Sequence, residues 1–546
     1  MSPLDRAAID ALFPADLPEV GHWQQRYPLR SLPEGAQVTR VCPSPTGHAH
    51  IGSVYVAMID ADIAHRSGGA YFVRVEDTDQ LREVEGAAAQ FDRVFSVFGV
   101  SSDETDPTGA YGPYTQSARS PIYLSHVREL LRRNKAYLCF ATRDELAANV
   151  AAQRAAKVPT GYYGRWAMWR DATVEQISEC LAAGRPYVVR FRSPALPGDR
   201  IGYRDLIRGE LEADANVNDA VILKSSDQHP RLPTYHFAHA VDDHLMGVTV
   251  VIRGDEWISS VPLHLQLFDA LGFPRIDYAH IAPLMKLEGG SRRKLSKRKD
   301  PEASVDHYIQ VGYPVEAVLY YLRGLANGRL AELPPAEALA APILLEECGV
   351  AGPLVDMVKL EDISADFIAT LPGGEILRRL WDWAADHDPD LITVLDSDPD
   401  LALRALAVER DGVPNPRKDL RKWSDFRAAY GFFFSSLFDR VDDNGDTRFG
   451  GVDPRLVHAM LNDFAERYQP YTDPDQWFGQ VRDLSTRHGF APTPKVHKAN
   501  PGAYPGSIRE ASQTVRVALT GATRSPDLTA VAHALGAEEV VRRLRR

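Results

Sequence analysis

Cysteine is scarce in this chain. Four cysteines among 546 residues, at positions 42, 139, 180 and 348, stand far apart and form no C-x-x-C pair. That spacing excludes a zinc ribbon or a disulfide framework and places the chain in a reducing cytoplasm. Long apolar runs are missing too: no stretch of about 20 apolar residues exists, so no membrane-spanning helix is expected. The start, MSPLDRAAIDALFPADLPEV, lacks a basic segment followed by an apolar core, which excludes a secretory signal. No internal repeat and no low-complexity tract is visible. The net charge of −12 argues against nonspecific nucleic-acid binding over the whole surface, but leaves room for local basic patches. Charged residues at 25% and hydrophobic residues at 44% are ordinary for a globular protein, and the length is several domains' worth.

What is present centres on residues 38–66, VTRVCPSPTGHAHIGSVYVAMIDADIAHR. Residues 38–42 read as an apolar strand. Pro43, Pro45 and Gly47 then force a loop. From Ile51 on, Ile51, Val54, Tyr55, Met58, Ile59 and Ile63 recur at helical spacing. His48, His50, Gly52 and Ser53 therefore sit where a strand gives way to the first turn of a helix. Unpaired N–H groups and the positive dipole end make that turn a seat for phosphate. A second stretch, Arg292 to Lys299, holds six cations around Leu295 and Ser296 after Gly289 and Gly290. A charge run is usually a solvated face. Joined to the histidine–glycine helix start, it reads instead as a mobile clamp for a triphosphate, acting where charge develops on departing pyrophosphate.

In chain order, residues 1–36 are proline-rich and weakly periodic, an extension that is either docked or partly mobile. Residues 70–75 form the second strand of a β-α-β crossover, the opening of a doubly wound sheet. It ends in Glu76-Asp77-Thr78-Asp79, with Thr78 or Asp79 expected to cap a helix over 80–98 and Glu76 to face the site. Residues 101–215 interrupt the alternation with helices over 121–134 and 143–157 and a strand over 187–192. The cluster Tyr162-Tyr163-Gly164-Arg165-Trp166, with Trp169 and Arg170, fits either stacked nucleotides or a core knot, and composition does not separate them. Runs over 220–223, 234–241 and 249–253 read as the sheet resuming, the last closed by Arg253-Gly254-Asp255-Glu256-Trp257. Asp242-Asp243-His244 reads as a structural cap in a turn rather than a metal cluster. After about residue 330 the pattern is all helical, with helices expected over 375–385, 401–409, 425–438, 454–467, 475–488, 507–519, 526–535 and 538–544. Residues 495–546 carry nine Lys or Arg against four acids, an excess of +5 that suits a nucleic-acid footprint. Arg417 and Lys418, in a turn between helices, are either loop contacts for RNA or parts of a capped turn.

Taken together, PSPTGHAHIGS, RVEDTD, YGPYTQS, PTYHFAHAVDDHLMGVTVVIRGDEW, KLSKRKDPEA and the helix start at Ser525-Pro526-Asp527-Leu528 resemble the bacterial glutamyl-tRNA synthetases, in their longer form with an N-terminal extension. These are class I aminoacyl-tRNA synthetases. The resemblance implies an α/β fold: a Rossmann-type catalytic domain (37–110 and 216–285) with an inserted acceptor-end-binding domain (111–215). Flanking these are the extension (1–36), a lysine-loop and stem-contact region (286–350) and an all-α anticodon-binding half (351–546). It implies a ligase that makes glutamyl-adenylate from L-glutamate and ATP and transfers the glutamyl group to the 3′-terminal adenosine of tRNA. Activation that requires bound tRNA is a family trait. Mg²⁺ is expected with the ATP. No zinc is expected, since only Cys139 remains where some relatives carry zinc-ligand cysteines.

Carried over residue by residue, the resemblance places His50, Gly52, Ser53, Lys294, Ser296 and Lys297 in catalysis. ATP falls to His48, His50, Gly52 and Lys297, and glutamate to Arg40, Ser44, Glu76, Tyr235 and Arg253. Arginine supplies the planar bidentate donors that a dicarboxylate needs. Departures from the family pattern are Cys42 where alanine is usual, His48-Ala49 where a bulky apolar pair is usual, His239 where asparagine is frequent, and a small insertion over 228–232. The expected partners are tRNA specific for glutamate, with glutamine-specific tRNA as a second candidate, and L-glutamate; a cytoplasmic monomer without membrane contact is expected. Two further readings are a paralogue that makes glutamyl-tRNA for a modification or biosynthetic pathway, and a retired synthetase that only binds tRNA. Against retirement stand His50, Gly52, Lys294 and Lys297, all present.

Overall fold

The computed structural model of the protein describes residues 4–45, 47, 49–79, 84 and 86–546. The chain divides into two compact units, Met1–His307 with Leu319–Asp356, and Tyr308–Val318 with Met357–Arg546.

The first unit is built on short strands: β1 (Val38–Val41), β2 (Ala70–Val73), β3 (Ala136–Cys139), β4 (Val188–Phe191), β5 (Arg200–Asp205), β6 (Gly209–Asp214), β7 (Val221–Leu223), β8 (Val250–Gly254), β9 (Asp277–Ile281), β10 (Met285–Glu288) and β11 (Ser291–Lys294). Four of its helices matter for the site: α1 (Ile51–Arg66), α2 (Ser120–Arg132), α3 (Tyr235–Leu245) and α4 (Val261–Leu271). β1 and β2 pair in parallel, as do β8 and β9, with Arg40 opposite Phe72 and Arg253 opposite His280. The Thr249 N–H donates to the Val38 carbonyl and brings β8 beside β1. All residues of β1 and β2 are buried. Burial on both faces is what a parallel sheet flanked by helices demands. β5 joins β9 through a single pair, Asp205 with Tyr278, and turns back into β6 as an antiparallel hairpin. β3, β4 and β7 form a separate antiparallel sheet.

Residues 234–241 are not a strand. They open α3, with Pro233 before it and Thr234 at the N-cap. Phe237, Ala238, Val241 and Leu245 are all buried and fall on one helical face, which the apparent alternation of the same stretch concealed. The helix expected over 80–98 begins only at Ala87, so neither Thr78 nor Asp79 stands at its N-cap, and Gly86 does so at φ +79°. Residues 80–83 and 85 lie outside the described residues. Asp77 instead ties the β2 exit to Ser117, accepting from its backbone N–H at 2.7 Å and from its hydroxyl.

The N-terminal extension is docked. Ile9, Phe13, Leu17 and Tyr27 belong to the same core as α2 and α3, and Arg132 reaches both Asp10 and Glu19. Tyr162 is likewise part of a buried knot with Tyr137, Cys139 and Ala167. Its hydroxyl accepts from the Trp169 N–H, and the Arg190 guanidinium lies 3.9 Å from its ring centre. Tyr162 is thus core, while Arg165 is exposed and Tyr163 and Trp166 are half-buried.

The second unit is helical; among the described residues no strand lies beyond Lys294. One apolar core runs through it, from Ile368 and Leu380 through Phe426 and Phe464 to Trp477, Val515 and Leu544. The helix expected over 425–438 stops early, as Phe426–Tyr430 followed by a tight turn at Gly431–Phe433. The carbonyls of Phe432 and Phe433 are taken by the buried Arg543 guanidinium, which replaces the helical hydrogen bonds. Arg543, Arg546 and Arg516 are thus consumed internally. The exposed basic set of the last fifty residues shrinks to Lys495, Lys498, Arg509, Arg524, Arg542 and Arg545. Arg417 bridges Glu409 and Asp419, and Lys418 pairs with Asp366 at 2.6 Å, so this turn is capped by its own ion pairs. No helix among the described residues is long and apolar enough to cross a membrane.

Candidate functional site

The carboxyl ends of β1 and β8 and the segment after β9 open onto one cavity of about 450 Å³. Its walls include Arg40, Ser44, His50, Gly52, Ser53, Glu76, Tyr235, Arg253 and Lys294. Nine residues singled out from sequence, drawn from five separate segments, are therefore brought together. Ser296 and Lys297 do not line the cavity, although Lys297 lies close enough for its charge to act on His50. His48 lies outside the described residues.

The helix start is built around one imidazole. His50 is the N-cap of α1, with extended backbone (φ −96°, ψ 143°), and its Nδ1 accepts from the Gly52 N–H at 2.8 Å. A Cβ on residue 52 would stand 2.9 Å from that same Nδ1. Glycine is therefore required for the imidazole to cap the helix. Burial, with Lys297 and Lys294 nearby, pushes the His50 pKa down to about 4. At neutral pH it is an uncharged hydrogen-bonding ring at the positive end of a helix.

The lysine stretch is more ordered than a bare loop. β10 and β11 pair as a hairpin, turned by Gly289 and Gly290 at φ +57° and +83°. Such a two-residue turn needs left-handed backbone at both positions, which glycine adopts without strain. Arg293 is locked to Asp300 at 2.6 Å and to Glu288 at 2.7 Å, while Lys294 reaches Glu256 at 3.1 Å. Leu295 is buried and anchors the stretch. Burial lowers the Lys297 pKa, with Asp306 opposing.

On the opposite wall lies a buried ionic core. Asp242 and Asp243, expected as a turn cap, sit inside α3 and are fully buried. Asp243 accepts from Arg40 at 3.1 Å and Arg74 at 2.5 Å, and Asp242 accepts from Arg119 at 2.7 Å and the Tyr123 hydroxyl at 2.6 Å. Burial alone would raise the Asp243 carboxyl, but Arg40, Arg74 and His239 hold it well below the usual range. Paired carboxylate and guanidinium groups satisfy one another and keep Arg40 pinned at the cavity wall. Burial raises the Glu76 pKa although Arg74 and Arg40 oppose it. The Cys42 thiol, pushed far up by burial, hydrogen-bonds to Glu76 and stays protonated.

Arg253 is placed differently. It is 7% exposed, and among the described residues it makes no ion pair with a carboxylate. Its Nε donates to His280 Nε2 at 3.1 Å, and its terminal nitrogens lie 3.3 and 3.4 Å from His264 Nδ1. The Tyr235 hydroxyl and the Trp257 carbonyl stand at 3.4 Å, and the Tyr235 ring packs on Trp257 with centres 4.4 Å apart. A buried cation met only by neutral acceptors favours an anionic guest. Sequence reasoning missed Asp205, which ends the partly charged β5, and His264 and His280, single imidazoles within the largely apolar α4 and β9; none carries a local motif.

No group of three His, Cys, Asp or Glu converges among the described residues in a way that could hold a metal ion.

Residues 37–337 match the family described as tRNA synthetases class I (E and Q), catalytic domain, and residues 507–546 match the anticodon binding domain. The glutamate–tRNA ligase of Clostridium perfringens (strain 13 / Type A) is 39% identical, covering 96% of both chains. That of Sorangium cellulosum is 38% identical over 98% of this chain and 99% of its own. A crystal structure of a glutamate tRNA ligase from Elizabethkingia meningosepticum, in complex with its amino acid, superposes with a TM-score of 0.76 at 24% identity. It covers 93% of this chain and 98% of that one, a likeness of fold.

Proposed function

Since this chain belongs to the glutamate–tRNA ligases, a family of class I aminoacyl-tRNA synthetases, we infer that its cavity joins L-glutamate to ATP. It is a ligase: glutamyl-adenylate forms with release of pyrophosphate, and the glutamyl group then passes to the 3′-terminal adenosine of tRNA. The observation that carries the site reading is Arg253, a buried guanidinium beside Tyr235 with no carboxylate partner among the described residues.

In this reading Arg40 and Arg253 take the two carboxylates of glutamate, and Glu76 takes its ammonium. Ser44, exposed at the rim, and the Tyr235 hydroxyl close the polar contacts. Adenine is assigned to the part of the cavity lined by Gly52, Val56 and Ala282. A carboxylate oxygen of glutamate attacks the α-phosphorus of ATP, and the bond to the β-phosphate breaks. Charge then accumulates on pyrophosphate, where Lys297 and Lys294 stabilise it. Ser296 holds the lysine turn through its backbone, donating to Asp300 at 2.9 Å. Mg²⁺ arrives with the ATP as part of the substrate. In the second step a hydroxyl of the terminal adenosine attacks the glutamyl carbonyl and AMP leaves.

The helical unit reads the tRNA. The match to an anticodon binding domain covers residues 507–546. A cleft of about 390 Å³ is lined by the exposed Arg509 and Arg524 and by Phe478, a pairing suited to an unstacked base, while Arg516 in its wall is tied to Ser525 and Pro526. The enzyme works in the cytoplasm as a monomer. Glutamate-dependent ATP–pyrophosphate exchange, with and without tRNA for glutamate and for glutamine, tests the whole reading. Exchange with glutamate, dependent on tRNA and poor with free glutamine, is expected; efficient exchange with glutamine would overturn it.

A further inference from the structure

The hydrogen bonds behind Arg253 have a direction that chemistry fixes. The Asp205 carboxylate can only accept. One of its oxygens takes the backbone N–H groups of Ile207 and Arg208, both at 2.9 Å. The other takes the His280 backbone N–H at 3.1 Å and His280 Nδ1 at 2.6 Å. The proton of the His280 ring is therefore on Nδ1, and Nε2 presents a lone pair to the Arg253 Nε–H. Burial holds His280 below its ordinary pKa, and the facing guanidinium acts in the same sense. The same logic applies at His264: Nδ1 faces the terminal nitrogens of Arg253, so its other nitrogen carries the proton and donates to His236 Nδ1 at 2.9 Å.

These contacts grip the guanidinium without neutralising it. Arg40 and Arg74 share the charge of Asp243, but Arg253 keeps its own, because imidazole lone pairs carry none. We propose that Asp205, His280 and His264 are positioning residues for substrate selection: Asp205 fixes the tautomer of His280, and the two neutral imidazoles hold Arg253 as an uncompensated cation, so that the pocket demands a carboxylate where an amide would otherwise fit. A carboxylate in place of either ring would hold the arginine equally well and abolish the demand. The consequence is reciprocal: an uncharged amide leaves a buried cation unmatched, which is the strongest form of rejection that a small pocket offers. Asp205 ends β5, in the region expected from sequence to belong to an inserted acceptor-end domain, yet it acts on the amino-acid site.

The proposal rests on the reading of Arg253 as a glutamate ligand, so the experiment begins there. In tRNA-dependent ATP–pyrophosphate exchange, Arg253→Lys should raise the KM for glutamate tenfold or more; an unchanged KM would remove that premise and with it the proposal. His280→Leu should raise the glutamate KM at least tenfold and cut the preference for glutamate over glutamine at least tenfold. The KM for ATP should stay within twofold. His280→Gln can accept from Arg253 through its carbonyl and donate to Asp205 through its amide, and should recover most of both losses. Asp205→Asn turns an amide N–H₂ toward one set of donors and should reproduce the loss seen in His280→Leu. The double variant Asp205→Asn with His280→Leu should be no worse in glutamate KM than His280→Leu alone. A purely structural role would instead raise the ATP and glutamate KM together, leave the glutamine ratio unmoved, give no recovery with His280→Gln, and make the two substitutions additive. Any of those results, obtained alongside an impaired Arg253→Lys, would overturn the relay while leaving the glutamate-ligase reading intact.

Discussion

Lys297 lies beyond the cavity wall, within electrostatic reach of His50. Its charge counts most when pyrophosphate carries the negative charge released by adenylate formation. Lys297→Ala should therefore lower kcat by about 100-fold while changing the KM for ATP only about threefold, since the contact strengthens in the transition state. Rapid-quench kinetics of adenylate formation reads the split. An effect on KM alone would make the lysine a ground-state phosphate contact. A different residue invites a stability experiment. Asp60, on α1, is fully buried, and among the described residues neither of its carboxylate oxygens has a hydrogen-bond partner. Burial raises its pKa well above the ordinary value. A carboxyl with a raised folded pKa contributes its full stability below the unfolded value of 3.8 and loses it as pH rises toward the folded value. Asp60→Asn keeps the shape and stays neutral, so it should be more stable than the parent at pH 7 by at least about 1.4 kcal/mol. The advantage should vanish near pH 4 in a urea titration series.

The start of α1 carries the chemistry through a local fit, and Gly52→Ala tests it. The added Cβ would meet His50 Nδ1 at 2.9 Å, so the ring must leave its cap on the Gly52 N–H. We expect kcat/KM for ATP to fall by roughly 10- to 100-fold, less than the roughly 100- to 1,000-fold of a donor removed outright at a charged transition state. Tm should drop by only a few degrees, because one cap contributes about 1 kcal/mol. This element was legible in the sequence because helical periodicity begins at Ile51 and proline and glycine mark the turn before it. The glycine pair and the cations after it were legible as a loop, but the β10–β11 hairpin was not: its strands are four residues each and mostly charged. α3 was misread because an amphipathic helix flanked by β-branched residues mimics alternation over a short window. Asp205, His264 and His280 gave no signal at all. Asp205 and His280 lie far in sequence from Arg253 and meet it only through the pairing of β5 with β9 and of β8 with β9, while His264, eleven residues on, reaches it from α4.

Across the molecule, buried histidines set an acid limit. His50, His126, His239 and His244, all in the first unit, are each lowered to about 4, chiefly by burial. Above pH 6.5 folded and unfolded chains hold the same protons on them. As pH falls from 6.5 to about 4 the unfolded chain gains protons that the folded one refuses, and stability drops by up to about 1.4 kcal/mol per pH unit for each. Over that window four such slopes come to as much as about 14 kcal/mol, comparable to the whole stability of an ordinary domain, about 5–15 kcal/mol. Calorimetry from pH 7.5 to 4 should therefore show Tm collapsing below pH 6. His126→Gln, which keeps a donor for the Ile122 carbonyl that His126 Nδ1 now meets at 2.8 Å, should flatten the slope measurably.

The path of the backbone between the two units bears on how the protein is made. Tyr308–Val318 belongs with the helical unit, although the chain returns to the catalytic unit for Leu319–Asp356 before leaving it for good. During synthesis at about 5–20 residues per second, that segment emerges well before its companions. The Gly312 carbonyl accepts from the Trp423 N–H, and Tyr313 meets Glu361, so its partners lie roughly 50 to 110 residues downstream. A nascent chain released at Asp356 would hold every strand of the catalytic sheets, yet carry near its end a segment, the close of one helix (Val305–Val311) and the opening of the next (Val315–Ala326), that still lacks its companions. Such intermediates are targets for holding chaperones, and ribosome profiling of chaperone occupancy should show engagement between codons 350 and 430.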